Sequence, residues 1–257
     1  MRDDTLLRMR ATDAGFEREL GADGEWLRFT SPNSITTLWL TSRGHKRIVA
    51  AAPASVAEEL ASVPAVEQWS GELPLGATAA WSCGTDSALD ALCRRIAVLG
   101  KVLPNQPLVR FEQQVLEELE RSSADRETER VAEVRQRIGQ ANFREALIGY
   151  WDGRCPISGV TEPALLRASH AKPWSEATDV ERLDVHNGLL LAAHLDAAFD
   201  RGLIGVGPQG EVLVSPSLPT IERRVLGLDG EACAIPVAPA HAPYFAWHRQ
   251  HLFKTTN

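Results

Sequence analysis

The stretch Cys155-Pro156-Ile157-Ser158-Gly159, followed by Leu165-Leu166-Arg167-Ala168-Ser169-His170-Ala171-Lys172-Pro173-Trp174 and by Val185-His186-Asn187-Gly188-Leu189-Leu190-Leu191, decides how this chain is read. It closes on Ala192-Ala193-His194-Leu195-Asp196-Ala197-Ala198-Phe199-Asp200-Arg201-Gly202. Leu165 to His170 reads as a strand that stops at Ala171-Lys172-Pro173, because a proline at 173 cannot donate to a sheet ladder. Asn187-Gly188 is a turn pair, and Gly188 to Leu191 is a second short apolar strand. Ala192 to Arg201 is predicted as a helix that Gly202 can cap. The outcome is a strand-loop-strand-helix unit with His170 at the end of its first strand. A histidine, an asparagine and an acidic helix are the groups that phosphodiester hydrolysis needs: a base for water, a seat for a divalent metal, and a frame.

Length and composition set the surroundings of that unit. A chain of 257 residues exceeds one average domain, so one large or two modest domains are expected, each able to bury a core. The apolar and charged fractions are ordinary for a soluble globular protein. No basic leader with an apolar core opens the chain and no apolar run is long enough to cross a bilayer, so a cytoplasmic, non-membrane protein is expected. Cys83, Cys93, Cys155 and Cys233 stand far apart with no C-x-x-C pair. That argues against a cysteine-based zinc site and for buried thiols.

The net charge of −7 cuts against DNA binding, since phosphate contacts want a basic surface. Local patches nevertheless outweigh the sum. Much of the acid lies away from the motif, at Asp3, Asp4, Asp13, Glu17, Glu19, Asp23 and Glu25 and at Glu112, Glu117, Glu118 and Glu120. The approach to the motif carries Arg126, Arg130, Arg135, Arg137, Arg144 and Arg154, alternating with glutamates. These form either a solvated helix face with i,i+4 pairs or, through Arg137 and Arg144, a grip on phosphate.

The expected class is α+β in three parts. Residues 1–105 form an N-terminal mixed α/β domain: Glu25 to Thr30 alternates at period two, Thr36 to Thr41 is strand-like, and Val56 to Leu60 and Ala88 to Leu99 have helical spacing. Pro104-Asn105-Gln106-Pro107 reads as a hinge. Residues 106–150 form a helical connector with a polar joint at Arg121-Ser122-Ser123-Ala124-Asp125, and its last helix puts Val131, Val134, Ile138, Phe143 and Leu147 on one stripe. Residues 151–257 hold the motif unit and a proline-bearing tail.

This motif unit resembles the HNH endonucleases, named for a His, an Asn and a His in that order, and most closely their bacterial restriction-type branch. The elements carrying the likeness are the C-x-x-[ST]-G opening at Cys155 to Gly159, H-x-K-P-W at His170 to Trp174, N-G-L-L-L at Asn187 to Leu191, and F-D-x-G at Phe199 to Gly202. The helix R-I-G-Q-A-N-F-R-E-A-L before them also looks like that branch's lead-in. The likeness covers about residues 130 to 210 and implies a ββα-metal module within 151–257.

The resemblance implies that His170 is the general base, a role suited to neutral imidazole. Asn187 then pins the loop that orients it, a role compatible with that of a turn asparagine. The family's final histidine falls at Asp196, a hard oxygen ligand suited to Mg²⁺ or Mn²⁺. Asp200 shares its helix face four residues on, as a helper ligand or as a structural group. His194 points roughly 200° away round the helix and is held in reserve as a ligand. Where many family members carry an aspartate before the catalytic histidine, this chain has Ser169. Lys172 contacts phosphate or product, or is a solvated loop lysine, and Arg201 is a further candidate for substrate contact.

His241, His248 and His251, near Tyr244, Phe245 and Trp247, read as a helix packing on the core. Trp26, Trp39, Trp69 and Trp81 are either core or an aromatic pocket that selects a base. The expectation is a metal-dependent nuclease cutting DNA in restriction or defence. A DNA- or protein-binding module that has lost catalysis is the rival, and a nuclease for RNA or for nicked or modified DNA the third reading. One active site cuts one strand, so double-strand cleavage would need a homodimer or sequential nicking.

Overall fold

The computed structural model describes residues 2–32, 34–61, 67–103, 106–121, 128–230 and 233–255. Two of the four hinge residues, Pro104 and Asn105, lie outside the described residues, as do Arg126 and the polar joint from Ser122 to Asp125. The chain divides into two compact units, residues 1–104 and 105–257, both mixing helices and strands.

The first unit runs α1 (Arg2–Asp13), β1 (Arg18–Asp23), β2 (Trp26–Thr30), β3 (Thr37–Arg43), β4 (Lys46–Ala52), α2 (Ala54–Ala61), β5 (Glu67–Gln68), β6 (Ala79–Cys83) and α3 (Asp86–Val102). Its described strands form one antiparallel sheet in the order β1-β2-β3-β4-β6-β5. Strand periodicity explains its two cores. Leu27, Leu40, Val49 and Trp81 align across neighbouring strands on one face, while Trp39, Ala50 and Ala80 align on the other. That second face is a cluster of Trp26, Trp39, Ile48, Ala50 and Ala80, with Trp69 and Ala77 packed against it. Trp26, Trp39 and Trp81 are at most 5 % exposed, so these three are core rather than an open aromatic pocket. Trp69 is half-buried, with the Arg43 guanidinium 5.6 Å over its ring.

The second unit opens with α4 (Gln106–Arg121) and α5 (Thr128–Tyr150), which pack together. It continues with β7 (Leu166–His170), α6 (Asp179–Leu183), β8 (Gly188–Ala192), α7 (Ala193–Asp200), β9 (Ile204–Val206), β10 (Val212–Val214), α8 (Thr220–Val225) and α9 (Ala242–His251). β7 and β8 pair antiparallel with His170 opposite Gly188, and α7 packs on both. α7 ends at Asp200, where Gly202 takes φ +66° and Leu203 N–H reaches Ala198 O, so the predicted stop holds.

Two local readings need correction. The loop of the strand-loop-strand-helix unit is not wholly irregular: Thr178 and Glu181 form a reciprocal capping box that starts α6. Asn187 ends a 3₁₀ turn over Val185–Asn187, capped by Asp184, rather than opening a hairpin turn. The proline-bearing tail is also more structured than it reads. β9 and β10 form a hairpin, and α9 returns to pack on β9.

Candidate active site

The lead-in helix builds the site from behind. Gly139, Phe143, Leu147 and Trp151 recur every four residues along α5 and its end, one stripe of a 3.6-residue helix. Phe143 stacks on the His170 ring at 3.7 Å and 13°. A side chain at Gly188 would collide with the tip of Phe143 and come within 2.9 Å of Ser169 O. Only glycine at that register position lets the phenyl ring reach the histidine. Trp151 Nε1 donates to Gly188 O at 3.2 Å. Arg144 donates to Leu166 O at 2.8 Å and to Pro163 O at 2.9 Å, tying α5 to the start of β7. Ahead of β7, Cys155 is fully buried in a tight turn closed by Gly159 N–H to Cys155 O and Cys155 N–H to Val160 O.

His170 is fixed on three sides. Phe143 covers one face, the Trp174 ring meets it at 5.9 Å and 85°, and its Nε2 lies 2.9 Å from Arg182 O. A carbonyl can only accept, so Nε2 carries the proton and Nδ1 keeps the lone pair. Burial lowers the His170 pKa below the ordinary 6.5, partly countered by the Arg182 carbonyl. The ring is therefore neutral at neutral pH.

Asn187, completely buried, locks the loop that supplies Arg182 O. Its Oδ1 accepts from Lys172 N–H at 2.8 Å, and its Nδ2 donates to Glu181 O at 2.9 Å and to Lys172 O at 3.2 Å. Both amide groups are thereby used on backbone. Asp184 supports the same turn: Oδ1 accepts from His186 N–H and from His186 Nδ1, both at 2.9 Å, and Oδ2 accepts from Tyr244 O–H at 2.8 Å. Burial alone would raise the Asp184 carboxyl, but these bonds and the nearby imidazole hold it below its ordinary value.

A cleft of about 580 Å³ opens beside His170, and Ser169, Asp196, Asp200, Arg167, Arg201 and Leu252 also line it. Asp196 and Asp200 thus share the cleft, as their i,i+4 spacing on α7 requires. Ser169 Oγ, on a residue 2 % exposed, donates to Asp200 Oδ1 at 3.4 Å. Burial, and then the like charge of Asp196, raise the Asp200 pKa above 3.8. Two hard oxygen donors that repel one another suit a cation that keeps several waters, as Mg²⁺ does with one or two carboxylates. Among the described residues no group of three or more His, Cys, Asp or Glu is placed to hold a metal ion. His194 is exposed and does not line the cleft.

The cations sort differently from their order in the sequence. Lys172 Nζ forms an ion pair with both Glu181 oxygens at 2.8 Å, within the loop. Arg137 pairs with Glu118 at 3.0 Å and Arg135 with Asp179 at 3.1 Å, so these pairs run between elements and not i,i+4 along one helix. Arg201 and Arg167 are the arginines lining the cleft. Sequence reasoning passed over Arg167, whose outward alternation on β7 was the available signal. It also missed Phe143 and Arg182 O, because a ring stack and a backbone carbonyl leave no motif of their own.

The C-terminal helix closes the far side. His248, buried, stacks on Phe199 at 3.8 Å and lies with Nε2 2.9 Å from Phe199 O, so the reading of these histidines as core-packing holds for His248. Lys254 N–H reaches Gly202 O at 2.9 Å, fixing the chain beside Leu252 at the cleft wall. No helix among the described residues is long and apolar enough to cross a membrane.

No curated protein matches this chain. Residues 155–207 match the family model HNH_2, described as HNH endonuclease, which spans the Cys155 turn, β7, the Asn187 loop, β8 and α7. A domain of this family implies nuclease activity on nucleic acid, and by the match this chain carries an HNH endonuclease domain at residues 155–207.

Proposed function

We propose that the second unit is a metal-dependent endonuclease that hydrolyses DNA phosphodiester bonds, with His170 as its general base. The observation that carries this reading is the Nε2 contact of His170 with Arg182 O. It commits the proton to Nε2 and leaves Nδ1 as the basic atom of a ring whose residue lines the cleft. Nδ1 takes a proton from water as the water oxygen attacks phosphorus, and the P–O bond opposite the attacking oxygen breaks. Phe143 and Trp174 hold the imidazole in place and keep it partly dry, which favours the neutral form. Asn187 acts one step back, by holding the segment that presents Arg182 O. Arg167 and Arg201 balance phosphate charge at the cleft.

Asp196 and Asp200 are the residues that would hold a divalent cation, Mg²⁺ or Mn²⁺. When bound, such an ion supplies positive charge to the oxygens of the scissile phosphate. Ser169 orients Asp200 through its hydroxyl. The likeness to restriction-type HNH proteins supports a role in restriction or defence against foreign DNA.

The test is incubation of purified protein with supercoiled plasmid from modifying and non-modifying hosts, in Mg²⁺, Mn²⁺ or EDTA, beside His170→Ala. Metal-dependent nicking or linearisation that the variant lacks is the expected result. No cleavage under any condition, or equal cleavage by the variant, overturns the assignment in favour of a binding module.

A further inference from the structure

Behind the Trp174 loop lies a second cavity, of about 360 Å³, that the phosphodiester chemistry does not use. It falls within the size range of small-ligand pockets, roughly 300–1,000 Å³. α4 contributes Phe111, α5 contributes Ala132, Arg135 and Gln136, the loop contributes Trp174, and α6 contributes Asp179 and Arg182. The Arg135 guanidinium lies 5.1 Å over the Phe111 ring and that of Arg182 lies 4.9 Å over Trp174. One carboxylate holds both: Asp179 Oδ2 is 3.1 Å from Arg135 and Oδ1 is 2.7 Å from Arg182. Arg182 Nε is tied down as well, by Trp174 O at 2.8 Å.

The lining therefore combines planar cations backed by aromatic rings with a carboxylate and the Gln136 amide. Flat cationic faces with donors and acceptors at the edge are what an unstacked nucleobase requires. A bare phosphate would instead meet a carboxylate seated between the two cations, and an apolar wall it cannot use. The cavity adjoins the candidate catalytic cleft, since Trp174 lines both and Arg182 O holds His170.

We propose that this cavity receives one extrahelical base of the nucleic-acid substrate, so that the protein favours strands able to offer an unpaired base beside the cleft. The proposal rests on the reading of that cleft as a nuclease site. It is tested with the full-length His170→Ala protein in EDTA, so that binding is read apart from cleavage. The probes are a duplex with a single bulged 2-aminopurine and the same duplex with that base paired.

The bulged duplex is expected to bind about tenfold more tightly, in keeping with the stacking of one base, and its 2-aminopurine emission should change on binding. Ala132→Trp, which fills the cavity from an exposed helix position, should erase both effects and leave affinity for the paired duplex intact. Gln136→Leu, also at an exposed position, provides a second variant should the tryptophan unfold the unit, and should weaken the preference. Equal affinity for the two duplexes overturns the proposal. So does a preference that survives both variants, or one that an abasic bulge reproduces. Failure of the wild-type protein to cleave plasmid would sink the nuclease reading alone, and the bulge preference would still be read independently.

Discussion

Replacing Asn187 by alanine separates a loop-pinning role from a direct role in the chemistry. The side chain is 0 % exposed and its amide makes three hydrogen bonds, all to backbone of the segment between Lys172 and Glu181. At about 1 kcal/mol net for each bond, their loss costs about 3 kcal/mol, and stranding the Lys172 N–H adds to that. For a unit of this size each kcal/mol lowers the melting temperature by about 2–4 °C, so a fall of about 6–12 °C is expected. Cleavage should fall with it, because Arg182 O leaves its place and the His170 ring is no longer held. Urea unfolding followed through the transition of the second unit, beside plasmid cleavage at a temperature where the variant stays folded, measures both. Asn187→Asp should be no better: it keeps an acceptor for Lys172 N–H but turns a carboxylate toward two carbonyls. An unchanged unfolding midpoint with lost cleavage would refute the reasoning, for Asn187 would then act on the substrate itself.

Three further outcomes follow from the same geometry. Burial lowers the His170 pKa, so the acid limb of the cleavage rate should fall below pH 6.5, and Trp174→Ala, which exposes the ring, should move it upward; a wild-type limb at or above 6.5 contradicts a buried base. Linkage has the same sign. His170 and His248 both titrate lower in the folded chain than unfolded, so the unfolded state takes up protons first and folding stability drops as pH falls below about 6.5. Gly188→Ala should destabilise by about 1–3 kcal/mol through overpacking against Phe143, Leu147 and Ser169 O. Adding Phe143→Leu removes only the ring's share of that clash, since Ser169 O stays in place, so stability should recover in part and cleavage not at all, because the stack on His170 stays broken; recovered cleavage in the double variant would show that the stack is dispensable.

The sequence shows the skeleton of the site more clearly than its working surface. Proline at 173 and glycine at 202 are backbone constraints, local in sequence, and they marked the ends of β7 and α7 to within a residue. The i,i+4 spacing of Asp196 and Asp200 likewise guaranteed a shared face. What could not be read were contacts closed by tertiary packing. Arg144 carries a cation that sequence offers to phosphate, yet its neighbours across the fold are two carbonyls, and Lys172 finds Glu181 within the same loop. Arg167 and Arg201 stand 34 residues apart in the sequence, and only the pairing of β7 with the β8–α7 corner brings both to one cleft. In the first unit, the tryptophans carried no sign of which face they served. The register of six strands decides that, and it buries Trp26 and Trp39 on one side of the sheet and Trp81 on the other.

The acidic total charge and a nucleic-acid substrate are reconciled by where the charges are cancelled. Lys172, Arg135 and Arg137 each face a carboxylate of a neighbouring element and Arg182 faces Asp179 three residues back in its own helix, so much of the charge near the motif is neutralised in pairs that build the loop and hold the helices together. The pairing leaves the cleft with a compact set: Asp196 and Asp200 on α7, Arg201 at its end, Arg167 on β7, and a neutral His170 between them. On the proposed function, a phosphate in the cleft meets the lining residues Arg167 and Arg201 at contact, where screening over about 10 Å in ordinary salt acts least. A weak field at long range and a strong one at contact favour selection at the cleft over capture along the duplex. Affinity for plain duplex should therefore be modest and only shallowly salt-dependent, with a slope set by about two phosphates rather than the six to ten of proteins that grip the backbone. A steep salt slope, measured with a paired duplex and the His170→Ala protein in EDTA, would place the main phosphate contacts elsewhere on the chain.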